Sequence, residues 1–148
     1  MDDLGAGLRS ALLPAELAEL TATKLRPGAD KPDAIGFVVA WALHVDKIDA
    51  DRALDWSDHS VWNEYDLLAA LYIRDRAEKA IVRLSPALQA KLQALLAGPD
   101  DRFRGFTVAD SGKRMAQIAG VDATGRGWWW YRVPVDGPIT VDLARYPT

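Results

Sequence analysis

Residues 127–137 read GWWWYRVPVDG, and the three adjoining tryptophans with Tyr131 set the hardest condition on any fold, because so much aromatic surface must be covered or put to use. Read as a strand, 128–133 alternates: Trp128, Trp130 and Arg132 share one face, and Trp129, Tyr131 and Val133 the other. Two roles follow. In one, the strand is central and its aromatics fill the core, tying the two halves of the chain together. In the other, one face stays open, and Trp128, Trp130 and Arg132 form an aromatic, cationic platform for a sugar or another small ligand.

The remainder of the chain supplies helices to cover such a strand. Leu13, Leu17 and Leu20 recur at helical spacing after Pro14 and before Pro27-Gly28, which predicts a helix over about 12–25. In DKPDAIGFVVAWALHV, Asp30 is the expected N-cap, with Pro32 and Asp33 in the first turn and an almost wholly apolar run to Val45. Apolar on all sides, this segment reads as a buried helix; a buried strand is the competing reading, given Gly36 and the β-formers Ile35, Phe37, Val38 and Val39. From Ser60 to Leu84, the positions Trp62, Tyr65, Ala69, Ile73, Ala77, Ala80 and Leu84 make the clearest amphipathic helix. A fourth follows, with Ser85 as cap, Pro86 at its first position, leucines 88, 92, 95 and 96 inward, and Gly98-Pro99 as its stop.

Past residue 100 the sequence turns to glycines, β-branched residues and aromatics in short runs, which predicts strands. RFRGFTVAD and KRMAQIAGV flank Ser111-Gly112, while WWWYRVP and ITVDLAR flank Val135-Asp136-Gly137-Pro138, so an antiparallel meander is the simplest arrangement. Met115, Ile118 and Ala119 equally suit a short helix capped by Asp110. The expected architecture is an α+β single domain over 1–148: a four-helix N-terminal part, 1–100, packed on a small C-terminal antiparallel β-meander of two to four strands, 101–148.

At 148 residues, 49% of them hydrophobic and 26% charged, the composition is that of an ordinary globular chain able to build a core without a metal or disulfide. There is no cysteine, which removes disulfides, thiolate metal sites and cysteine nucleophiles. The start, MDDLGAGLRS, lacks the basic and long apolar regions of a secretion signal, and the apolar run 34–43 is too short to span a bilayer. The expected location is the cytoplasm, with no membrane partner.

Charge is divided unevenly. Residues 1–100 carry 11 Lys and Arg against 16 Asp and Glu, and residues 101–148 carry 7 against 5. Within 44–66, Asp46, Asp49, Asp51, Asp55, Asp58, Glu64 and Asp66 face only Lys47 and Arg52, and Trp56, Trp62 and Tyr65 lie among them. Acids mixed with tryptophans have the composition of a protein-binding hot spot ringed by steering charge. The plainer reading has these aspartates capping helices, as Asp58 would with Ser60 at the start of the helix that follows, and the tryptophans tucked inward.

Chemistry is poorly signalled. His44 and His59, with Asp46, Asp58 and Glu64, are the only candidates for a two-histidine, one-carboxylate metal site, and no HExxH spacing supports it. No GxSxG elbow is present, and ATGRG lacks the GK[ST] ending of a phosphate loop. A small positive excess in an acidic chain argues against nucleic acid.

The leading expectation is therefore a non-enzymatic cytoplasmic binding protein without cofactor, monomeric or homodimeric. It would take a basic protein partner through Asp46, Asp49, Asp51, Asp55, Trp56, Asp58 and Trp62, with an inhibitor or immunity protein as one form. The alternatives are a small metal-dependent or acid/base enzyme at His44 and His59, and a ligand module at Trp128, Trp130 and Arg132.

Overall fold

The computed structural model describes residues 3–148; the acidic start of the chain, Met1 and Asp2, lies outside them. Helix α1 (Asp3–Ser10) and α2 (Pro14–Ala22) lead to three longer helices, α3 (Ala34–Asp51), α4 (Glu64–Ile81) and α5 (Pro86–Phe106). Strand β1 (Thr107–Ala109), α6 (Lys113–Ala119), a 3-10 turn over Trp128–Tyr131, strand β2 (Arg132–Pro134) and α7 (Pro138–Leu143) complete the chain. Helix α3 sits at the centre, packed chiefly against α4 and α5, and the buried apolar residues form one cluster from Leu20 to Leu143.

Local chemistry explains most helix starts. Pro14 and Pro86 occupy first-turn positions, where a missing N–H costs nothing. Asp33, not Asp30, caps α3: its Oδ1 accepts the Gly36 N–H at 2.9 Å, while Arg9 of α1 donates two bonds to the same carboxylate at 2.6 and 2.9 Å. One buried carboxylate thus starts the central helix and docks the first one, an element the sequence pattern had not suggested. Asn63, not Asp58 or Ser60, caps α4, accepting from Tyr65 and Asp66 while the Asp66 side chain accepts the Asn63 N–H. The run 34–45 is helical and continues to Asp51.

The C-terminal part departs from the expected meander. Helix α5 does not stop at Gly98-Pro99 but runs on to Phe106 with Pro99 inside it. An interior proline costs a helix about 3 kcal/mol, and the compensation lies on its buried face, where Leu92, Leu96, Asp100, Phe103 and Phe106 follow at spacings of three and four. The only sheet among the described residues has two antiparallel strands of three residues each, Val108 opposite Val133. KRMAQIA is helix α6, the alternative to a strand, and it starts at Gly112 in the left-handed conformation instead of at Asp110. ITVDLAR holds helix α7, so Val135–Pro138 turns into a helix and not into a strand.

The aromatic run is not a strand either. Trp129 and Trp130 both donate their indole N–H to one carboxylate, Asp75 of α4, at 2.8 and 3.0 Å. Adjacent residues of a strand point to opposite faces and cannot share an acceptor in this way, whereas a 3-10 turn sets them about 120° apart. Gly127 makes the turn possible, because a Cβ there would run into the Trp129 ring. Trp130 is buried against Tyr72 in an edge-on contact at 5.3 Å, and Trp129 lies under the Arg74 guanidinium at 4.2 Å. Arg74 in turn makes a two-pronged ion pair with Asp100 of α5, which also accepts the Trp41 indole N–H at 2.8 Å. Burial opposes the charge of Arg74, but its bonds to Asp100 and Glu78 outweigh that and bind its proton more firmly than usual.

Removing the shared acceptor should be costly. Asp75→Ala leaves two buried indole donors unsatisfied and is expected to lower unfolding free energy by about 2–4 kcal/mol, with Asp75→Asn, which keeps an acceptor, losing about 1 kcal/mol. Urea unfolding followed by tryptophan fluorescence measures both; equal losses would show that the hydrogen bonds are not what holds the turn.

Candidate functional site

The acidic segment expected to form a surface divides into an internal part and an exposed one. On α3, Asp51 is buried: it pairs with Lys47 at 2.6 Å and accepts the Trp62 backbone N–H at 2.8 Å. Asp49 joins Arg52 and Arg102, at 2.8 and 3.0 Å, and Asp46, itself exposed, pairs with Arg102 at 2.5 Å. Burial raises the pKa of Asp49, but the two guanidinium groups outweigh it and hold the carboxyl below its ordinary value. Trp62 is half-buried, its ring tilted against that of His44 with centroids 4.9 Å apart. These residues bind the α3–α4 junction to α5, so their charge is largely answered from within.

The loop 52–63 is different. Leu54 and Trp56 are exposed, and so are Asp55, Asp58 and His59. Asp55 accepts the Ser57 N–H and hydroxyl, and Asp58 accepts those of Ser60 at 2.8 and 2.6 Å. These hydroxyl and backbone bonds lower both pKa values, so the carboxylates are fully charged at neutral pH. Neither makes an ion pair among the described residues. Trp56, 55% exposed, is nonetheless fixed: its indole N–H donates to the buried Asp142 of α7 at 2.8 Å. Asp142 stands 86 residues away, in a segment that reads as a strand, and no local signal in the sequence announces the pairing. Below it, the buried Glu64 accepts from Arg145 at 2.5 Å and from the Tyr146 hydroxyl at 3.2 Å, tying the chain's last turn to the start of α4.

The other candidate residues fall elsewhere. His44 points Nδ1 at the Ala40 carbonyl, 2.7 Å away, and its ring is occupied by Trp62. His59 is exposed on the loop. Among the described residues, no three His, Asp or Glu side chains gather as a metal-ligand set. Trp128, Trp130 and Arg132 do not form one open face: Trp130 is buried, and Arg132 donates to the hydroxyl and carbonyl of Thr107, both at 2.8 Å. Trp128 is half-buried beneath Arg104, whose guanidinium lies 3.8 Å from the ring centre, at a shallow hollow of about 390 Å³. Among the described residues no helix is long and apolar enough to cross a membrane.

Compared with protein-family models, curated proteins and solved structures, the chain matches none.

The loop's charge has a direct check. With Ser57→Ala and Ser60→Ala, Asp55 and Asp58 should each titrate closer to the ordinary aspartate value of 3.8, as followed by carboxyl carbon NMR. Because both folded values are depressed, the stability these turns contribute is present above the unfolded value and lost as pH falls through the folded one. Unshifted titrations in the variants would remove the hydroxyls as the cause.

Proposed function

We propose that this is a protein-binding protein that docks a basic partner through the loop 52–63, with Trp56 as its anchor. The observation that carries the reading is the state of Trp56: an exposed indole held in one orientation by a buried carboxylate. A large aromatic whose orientation is already set loses little entropy on binding, which is what a hot-spot residue requires. Leu54 adds apolar surface beside it in sequence, and Asp55 and Asp58 add charge that no cation among the described residues neutralises by an ion pair. Unanswered rim charge speeds encounter with a partner of opposite sign more than it strengthens the final complex.

The docking surface is then smaller than the whole acidic segment. Asp49 and Asp51 hold the two ends of the loop through Arg52 and the Trp62 N–H, Asp46 ties α3 to Arg102 of α5, and Asp55, Trp56 and Asp58 meet the partner. An inhibitor or immunity protein that covers a basic enzyme is one form such a protein takes, working in the cytoplasm without a cofactor.

The two roles separate by experiment. In co-purification from the source cells, wild type should retain a basic protein at low salt and release it at high salt. Trp56→Ala should weaken that complex by about 2 kcal/mol, roughly 30-fold, mainly through faster dissociation. Asp55→Asn with Asp58→Asn keeps the side-chain acceptors of both turns, and should slow association and flatten its salt dependence. Retention that none of these changes alters would refute the site.

A further inference from the structure

On a different face, the connection between α2 and α3 borders, with the start of α3 and the side of α4, a half-open cleft of about 520 Å³. Its walls are Leu25, Pro32 and Phe37 on the apolar side and Arg26, Lys31, Arg76 and Lys79 on the charged side. No carboxylate among the described residues lines it. Lys31 has a loose pairing with Asp30 at 3.8 Å, whereas Arg26, Arg76 and Lys79, all exposed, make no ion pair or hydrogen bond among the described residues. The other acid of this connection, Asp33, is already engaged by Arg9 and the α3 cap.

In a chain of net charge −3 this concentration is costly. Arg76 and Lys79, three apart on α4, repel each other on one helix face, and Arg26 and Lys31 add to the same field. Most other guanidinium groups of the protein are answered by a carboxylate, an aromatic ring or a carbonyl. A further anion would relieve the repulsion here.

The cleft is also preformed. Arg83, two residues beyond α4, donates to the Lys24 carbonyl at 3.0 Å, and Lys24 donates to the Gly28 carbonyl at 2.9 Å. Gly28, at φ 126°, gives the bend that brings Lys31 and Pro32 back over α4. The loop is therefore held through its own backbone carbonyls, so the side chain of Arg26 is not used to hold it and Lys31 makes only its loose pairing with Asp30.

From this geometry we infer that the cleft binds a small organic phosphate, with the phosphoryl group among Arg26, Arg76 and Lys79 and an apolar or aromatic body against Leu25, Pro32 and Phe37. The volume is that of an ordinary small-molecule site, about 300–1,000 Å³. A phosphate monoester carries about −1.5 to −2 charges at pH 7, enough to answer several cations at once, and the planar fork of arginine matches its oxygens. Lysine supplies a point charge. The apolar wall distinguishes such a ligand from a bare ion.

The test uses the full chain and 1-naphthyl phosphate as probe, with inorganic phosphate and 1-naphthol as controls, read by isothermal titration calorimetry. The expected result is saturable one-to-one binding of the probe, with each control at least about tenfold weaker. Arg76→Glu with Lys79→Glu should weaken the probe roughly 10- to 100-fold, the loss expected when charge-assisted bonds are removed. Arg26→Glu, on a different element, should do the same without touching α4, and thermal melting of each variant reports that it is folded. Inorganic phosphate binding as tightly as the probe would mean an unspecific anion site and overturn the proposal. So would no binding at all, or binding unchanged by both sets of substitutions. None of these outcomes bears on Trp56 and the loop 52–63, so the two readings stand or fall separately.

Discussion

Asp75 accepts the indole N–H groups of two consecutive tryptophans, and much of the C-terminal third takes its shape from that one carboxylate. To bring both indoles to it, the chain winds into a 3-10 turn, and Gly127 must lack a side chain to let the Trp129 ring fold back. One residue before Asp75, Arg74 covers Trp129 from above and joins Asp100 of α5, whose other partner is Trp41 of α3. Two neighbouring residues on α4 thus connect the three long helices to the aromatic turn. Buried charges of this kind contribute modestly when complete, but losing one partner is expensive, because the survivor is left desolvated. Breaking any one of these contacts therefore costs more than the completed network contributes.

The same physics governs the acidic segment. A run of seven carboxylates against two cations looks like a surface, yet the structure distributes them by distance to cations elsewhere. Asp46 and Asp49 find Arg102, and Asp51 finds Lys47 and a backbone N–H. What is left is the loop, where Asp55 and Asp58 accept from serine hydroxyls and backbone N–H groups and make no ion pair among the described residues. Conversely, the cleft beside Phe37 collects four cations, of which only Lys31 has an acid near it, Asp30 at 3.8 Å. An acidic loop with an anchored tryptophan and a basic cleft with an apolar wall are complementary in sign and separate in place, and each is built on a pinned connection between helices.

How far the sequence could be read depended on the range of the forces involved. The apolar periods of α3, α4 and α5 and the first-turn prolines were legible, because helical spacing and caps act within a few residues. The helix passes the stop expected at Pro99 for an equally definite reason: the period that carries α5 onward includes Asp100, a charged residue that counts as polar until its buried partners Arg74 and Trp41 are known. The candidate loop was legible as a composition, Asp55, Trp56 and Asp58 together, but its division from Asp49, Asp51 and Trp62 was not. That division depends on Arg102 and Asp142, 53 and 86 residues distant from Asp49 and Trp56.

By itself, the amino-acid sequence determined a cysteine-free chain with helices in its first hundred residues, a strongly aromatic element near its end, and a sign difference between its two parts. These follow from composition and from spacing, which are local properties. Tertiary structure alone decided that the aromatic run is a turn and not a strand, that Trp130 is inside while Trp56 is outside, and that four cations from a loop and a helix border one cleft. Each of those outcomes is set by which carboxylate, indole or guanidinium lies opposite across the packed helices. Such pairings act over a few ångströms in space but across dozens of residues in sequence, where no periodicity records them.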